Sequence, residues 1–184
     1  MSRIAVFLRG INLAGHNRLA MADLRKSLGE AGFSNVETLL QTGNVLLEPS
    51  GRSKRQVADE VERIIADRHG LDLTAVVRDP QELRTVLASG PFLGDEENLS
   101  RLHVVFLETP VDTETAAAID PRRSPPDRFQ VSGDVIYLHY PNGMGRSKLT
   151  LSYIEGALGV RGTARNWNTF SKVSESLDAD AQAE

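Results

Sequence analysis

The spacing of apolar positions along the chain changes period from block to block, and those changes mark out the elements. Ile4 to Leu8 is continuously apolar, the pattern of a central strand buried on both faces. Met21, Leu24 and Leu28 then recur at helical spacing and Gly32 supplies a stop, which predicts a helix over residues 20–31. Residues 36–40 and 45–47 read as strands around Gln41-Thr42-Gly43-Asn44, a turn in which Gly43 is free to take positive φ. Ser53 can cap a helix with the stripe Val57, Val61, Ile64 and Ile65, closed by Gly70, and residues 73–77 return to strand. Strand, helix, strand, strand, helix, strand is the split βαβ order of a ferredoxin-like unit.

The second half repeats the rhythm. Asp79-Pro80-Gln81-Glu82 carries a cap, a proline at the first helical position and a glutamate at the third, so a short helix starts there and Gly90-Pro91 ends it. Residues 102–107 read as another central strand, 112–119 as a short helix, and 120–127, with three prolines, as a loop. Residues 129–131 and 135–139 predict a hairpin around Ser132-Gly133-Asp134. Ser147 can cap a helix to about Leu158, a short strand follows near Thr163, and Phe170, Val173 and Leu177 make a last helical stripe capped by Asn168 or Thr169.

Four short matches recur in the same order: Val6-Phe7-Leu8 with Val105-Phe106-Leu107, Gly43-Asn44-Val45 with Gly133-Asp134-Val135, Arg52-Ser53-Lys54 with Arg146-Ser147-Lys148, and Gly70-Leu71 with Gly159-Val160. They argue for duplication of one unit. The expected fold is α+β: two tandem ferredoxin-like (split βαβ) units, each an antiparallel sheet with helices packed on one face. The expected boundaries are 1–79, 80–177 and a frayed tail over 178–184. A site is expected between the halves.

Composition narrows the function. Apolar residues make up 40% of the 184, enough for a buried core. The absence of cysteine excludes disulfides, thiolate metal sites and a cysteine nucleophile, and fits a reducing compartment. No signal-peptide core and no membrane-length apolar run is present, so the expected location is the cytoplasm, away from membranes. The net charge of -4 argues against nucleic-acid binding by the molecule as a whole, yet positive charge is placed rather than spread. Residues 1–18 hold three arginines and no acid, and residues 139–172 hold five cations against Glu155 alone.

Three polar loops carry the candidate chemistry. In residues 9–18, Arg9 and Arg18 offer planar forks for carboxylate or phosphate, and Asn12 and Asn17 offer amides. In residues 140–148, a Gly-rich loop leads to Arg146, Ser147 and Lys148 at a predicted helix start, an anion-binding arrangement distinct from a Walker A loop. In residues 165–169, Arg165 and the amides Asn166 and Asn168 flank Trp167, the single tryptophan, a stacking platform or a core residue. Gln41 and Asn44 at the hairpin tip join the set if strand order brings them to the first loop. His16 and His139 are the weak candidates for general acid–base work. The four histidines show no metal-ligand spacing, and no carboxylate pair or nucleophile elbow occurs in these loops. No metal and no cofactor is expected.

Leu8-Arg9-Gly10-Ile11-Asn12, Met21-Ala22-Asp23-Leu24, Gln41-Thr42-Gly43-Asn44-Val45, Tyr137-Leu138-His139-Tyr140-Pro141, Gly145-Arg146-Ser147-Lys148-Leu149 and Arg165-Asn166-Trp167-Asn168-Thr169 together resemble the bacterial domain-of-unknown-function 1697 family, over residues 3–177. The resemblance implies a two-part α+β domain with ferredoxin-like halves and brings no established activity. The leading expectation from the residues is an anionic, phosphate-bearing ligand, a nucleotide or nucleic-acid segment, held between the halves. An enzyme for a small phosphorylated or carboxylated metabolite and a protein-interaction module are the alternatives.

Overall fold

The computed structural model describes residues 3–12 and 17–181. It divides into two compact units, one formed by residues up to Thr85 together with those from Val173 on, the other by Val86–Lys172. The first unit runs β1 (Ile4–Leu8), α1 (Met21–Glu30), β2 (Ser34–Leu39), β3 (Asn44–Glu48), α2 (Lys54–His69) and β4 (Ala75–Arg78). Its sheet has the order β2-β3-β1-β4 with every neighbour antiparallel. The helices lie on one face because their buried stripes, Met21, Leu24 and Leu28 on α1 and Val57, Val61, Ile64 and Ile65 on α2, meet the alternate strand residues Ile4, Val6 and Leu8. Ala5, Phe7, Leu46 and Val76 on the other face are buried as well, which is why β1 reads as an unbroken apolar run.

α2 is closed at both ends as its sequence predicts. Ser53 and Gln56 form a reciprocal capping box, and Gly70 ends the helix with φ 65°. Asp79 and Glu82 exchange backbone-to-carboxylate bonds of 2.8 and 2.9 Å at the start of α3 (Pro80–Ala88).

The second unit runs β5 (Leu102–Leu107), α4 (Thr113–Ala116), β6 (Arg128–Ser132), β7 (Val135–His139), α5 (Leu151–Leu158) and β8 (Gly162–Asn166), and ends in the opening turns of α6 (Trp167–Ala181). Its antiparallel sheet has the order β6-β7-β5-β8, the same as the first. Tyr140, Leu149, Ile154 and Leu158 pack on the Val105, Leu107, Ile136 and Leu138 face. The fold is therefore two tandem ferredoxin-like units of α+β type.

Strand register corrects one of the internal matches. Phe7 lies opposite Asn44 as Phe106 lies opposite Val135, so Gly43 corresponds to Asp134, one residue beyond Gly133. The backbone agrees: Leu8 N–H donates to Gly43 O at 2.8 Å, and Leu107 N–H to Asp134 O at 2.9 Å. The same register sets Arg78 opposite Ala5 and Arg165 opposite Val104, so each unit buries an arginine at the same place on its fourth strand.

Two helix starts also differ from expectation. α5 begins at Leu151, not at Ser147, because Thr150 is the cap that accepts from Tyr153 N–H. Trp167 lies inside α6 rather than before it, and Asn166 Oδ1 accepts the Asn168 N–H at 3.0 Å. Among the described residues no helix is long and apolar enough to cross a membrane.

Candidate functional site

The loop after β1 is built on left-handed backbone. Gly10, Asn12 and Asn17 have φ of 67°, 53° and 49°. Asparagine tolerates that region because its short side chain bonds locally. Asn12 does so three times: its amide N–H donates to Leu19 O at 2.9 Å and Gln41 O at 2.8 Å, and its Oδ1 accepts from Leu19 N–H at 2.9 Å. Asn17 Nδ2 closes the loop on Gly10 O at 3.0 Å. Asn44, fully buried, donates to Leu39 O and Thr42 Oγ1 at 2.9 and 3.1 Å and shapes the hairpin tip. These amide donors are thus occupied within the protein. The hairpin tip does meet the first loop, through the Asn12–Gln41 bond and through Gly43.

A Cβ on Gly43, where φ is 74°, would stand 2.4 Å from Ile11 Cγ2 and 2.8 Å from Leu8 Cβ, so glycine is required there for close approach. Arg18 and the Gln41 side chain are exposed, without hydrogen-bond or ion-pair partners among the described residues. With Leu19 and Ala20 they line an open cleft of about 480 Å³ at the start of α1. His16 lies outside the described residues.

The second unit joins two loops. Tyr140 Oη donates to Leu149 O at 2.9 Å, and Ser147 Oγ accepts the Leu149 N–H at 2.8 Å. Lys148 N–H donates to Ser124 Oγ at 3.0 Å, and Arg123 reaches Lys148 O at 3.5 Å while lying 4.5 Å over the Tyr153 ring. Tyr153 Oη accepts the Asp120 N–H at 3.0 Å. Residues 120–127 and 141–150 are thereby held against each other. Four cations extend from them: Arg122, Arg123, Arg146 and Lys148. None has an acidic partner among the described residues, and the side chains of Arg122, Arg146 and Lys148 have no polar partner there.

The matching tripeptide of the first unit behaves differently. Arg52 Nε bonds Glu60 at 2.6 Å and its guanidinium stacks 4.5 Å over Phe33. Lys54 Nζ lies 2.6 Å from Glu82 and 3.1 Å from Asp79. Burial opposes the charge on Lys54, but the two carboxylates outweigh it and raise its pKa above the ordinary lysine value.

Of three further candidates, Trp167 and Arg165 are buried and Asn166 is half-buried. Trp167, 4% exposed, packs edge-on to Phe170 at 5.4 Å and near Tyr137 at 6.4 Å. A Cβ on Gly90 would come within 2.9 Å of its indole, so Gly90 admits it to the core. Arg165 bonds Thr163 Oγ1 at 2.7 Å and Ala164 O at 2.8 Å, and burial pushes its pKa down to about 10. Asn166 Nδ2 donates to Ser100 O at 2.8 Å.

His139 has both ring nitrogens engaged. A guanidinium only donates, so Nδ1 accepts from Arg128 at 2.9 Å and Nε2 faces Glu96 at 3.0 Å. That bond, with the Asn98 N–H and Arg101, holds the Glu96 carboxyl below its usual pKa against the opposing effect of burial. His103 differs. It is buried with Nδ1 unpaired, and burial pushes its pKa down to about 4.

The structure gathers Arg146, Ser147 and Lys148 into one loop system and adds Arg122 and Arg123, which the sequence reading passed over as loop. An Arg-Arg pair between Pro121 and Pro125 was the available signal. It sets Arg165, Asn166 and Trp167 within strand and core. Among the described residues no group of three or more His, Asp or Glu could hold a metal ion.

The family model described as protein of unknown function (DUF1697) matches residues 1–137. No curated protein matches the chain. Among solved structures, the conserved bacterial protein SP0830 from Streptococcus pneumoniae is similar in fold, with 21% identity, a TM-score of 0.72, and coverage of 96% of this chain and 98% of that one.

Proposed function

The chain belongs to the DUF1697 family, and from its own geometry we propose that it binds a phosphate-bearing ligand, a nucleotide or nucleic-acid segment, through the basic loops of the second unit. The observation that carries this reading is the divergent fate of one tripeptide. Arg52 and Lys54 are neutralised by acids, while Arg146 and Lys148 stand beside Arg122 and Arg123 with no acid partner among the described residues. Acids are not scarce, since the chain holds 25 of them against 21 Lys and Arg. Two of them, Asp120 and Asp127, lie on the first of these loops, yet neither forms an ion pair with the four cations among the described residues, and a cluster of such guanidinium and ammonium groups suits phosphate oxygens. The common strand order and the register-matched buried arginines support reading the chain as a duplicated unit, one copy of which kept its cations for a ligand.

Arg146→Ala/Lys148→Ala tests the assignment. Two contacts of about 1 kcal/mol each correspond to a roughly thirty-fold loss of affinity for a phosphate ligand, read by calorimetry with pyrophosphate, ATP and an oligonucleotide. Unchanged binding of all three would sink the proposal.

A further inference from the structure

We infer that the ligand of these loops is an extended nucleic-acid strand held by its phosphates, with no base read on an aromatic platform; this deepens, and rests on, the phosphate reading above. A mononucleotide gains much of its affinity from enclosure of the base, and neither the tryptophan of the second unit nor the cavity beside it offers one. Its single tryptophan is 4% exposed and packed on Phe170 and Tyr137, so it cannot stack on a ligand. The Tyr153 ring already carries the Arg123 guanidinium on one face. The enclosed space beside Trp167, His103 and Leu93 amounts to about 10 Å³, room for one water rather than a base.

What remains is a set of exposed charges on two coupled loops: Arg122 and Arg123 on one, Arg146 and Lys148 on the other. An exposed pair of opposite charges changes affinity by less than about fivefold. A compact phosphate engages few such pairs, whereas a strand meets all four and releases a condensed counterion at each. The first loop also carries two carboxylates, Asp120 and Asp127, neither ion-paired with these cations among the described residues, so four positive charges against two negative leave the two loops a net charge of +2. Asp120 Oδ1 accepts the Arg122 backbone N–H at 2.9 Å, and Asp127 lies near enough to Tyr140 to push that phenol's pKa upward, alongside burial.

Fluorescence anisotropy of the full chain with a labelled single strand of about 20 nucleotides tests this. Four phosphate contacts give a slope of log affinity against log salt of about -3, a roughly fifty-fold loss between 50 and 200 mM salt, with little dependence on base sequence. Arg146→Ala/Lys148→Ala should halve the slope. Arg55→Ala/Arg63→Ala, which removes two cations already paired with acids on α2, should leave it unchanged. Displacement of the strand by ATP or pyrophosphate at equal or lower concentration would overturn the strand and leave the phosphate reading standing. Strong sequence preference would overturn backbone-only recognition. Equal weakening by the α2 control would reduce the effect to net charge and overturn the site. Failure of strand, ATP and pyrophosphate alike to bind would remove both readings.

Discussion

In the first unit, Arg52 lies across Phe33 and Lys54 sits between two carboxylates; in the second, Arg146 and Lys148 of the matching tripeptide form no ion pair among the described residues. The cause is where the following helix begins. Ser53 is itself the cap of α2, so Lys54 enters the first helical turn and meets Asp79 and Glu82. The cap of α5 is Thr150, three residues past Ser147, so Arg146, at the end of a 3-10 turn (Met144–Arg146), and Lys148 both stay ahead of the helix. The backbone bond just after the first strand of each unit is shared, Arg9 N–H to Thr74 O and Glu108 N–H to Arg161 O, but the residue types differ, an arginine in one unit where the other has a glutamate. One strand order thus carries two arrangements of charge, decided in the connections.

The largest way to break the comparison is at the hairpin tips. Gly43→Ala combines left-handed strain with a clash against Ile11 and Leu8, and should cost about 3 kcal/mol in chemical denaturation. Gly133→Ala, at φ 60° with open space around it, should cost about 1 kcal/mol. Equal losses would mean the close approach at Gly43 is not what the first loop depends on.

Next comes the start of the central strands, where register sets His103 in the place of Ile4. The folded pKa of His103 lies near 4, below its ordinary 6.5, so the unfolded chain binds the proton first. Its contribution is fully present above pH 6.5 and is lost as pH falls towards 4, by about 3 kcal/mol. His103→Ile should flatten that part of the stability profile, measured by urea unfolding between pH 7 and 4. A slope unchanged by the substitution would place the acid sensitivity elsewhere. The smallest effect separates the paired cations from the unpaired ones. Arg52→Ala should destabilise by about 1 kcal/mol through Glu60 and Phe33, and Arg146→Ala by less than about 0.5 kcal/mol, read from thermal melts.

The fold was legible because the information is local. The apolar run of β1, the stripe of α2, its capping box and Gly70 each lie within a few residues of the element they define. The candidate site was legible only in part because its decisions are long-range. Ser147 and Thr150 are equally good caps in sequence, and the loop's shape includes two distant ties, Tyr140 to Leu149 and Ser124 to Lys148. Asn12 read as a ligand donor because nothing in sequence shows that Leu19 and Gln41 take its amide. Arg122 and Arg123 lie in a stretch that reads as loop, and nothing in sequence shows that Arg123 reaches Lys148, 25 residues on.

The last helix begins among the residues of the second unit and finishes among those of the first, where Asp178 bonds Arg84 at 2.6 Å and Val173 and Leu177 are buried. Seen in the order of synthesis, the unit whose strands are made first is the one completed last. A ribosome that has released the first 85 residues has not yet supplied the helix that belongs with them, and the second unit must be translated in between.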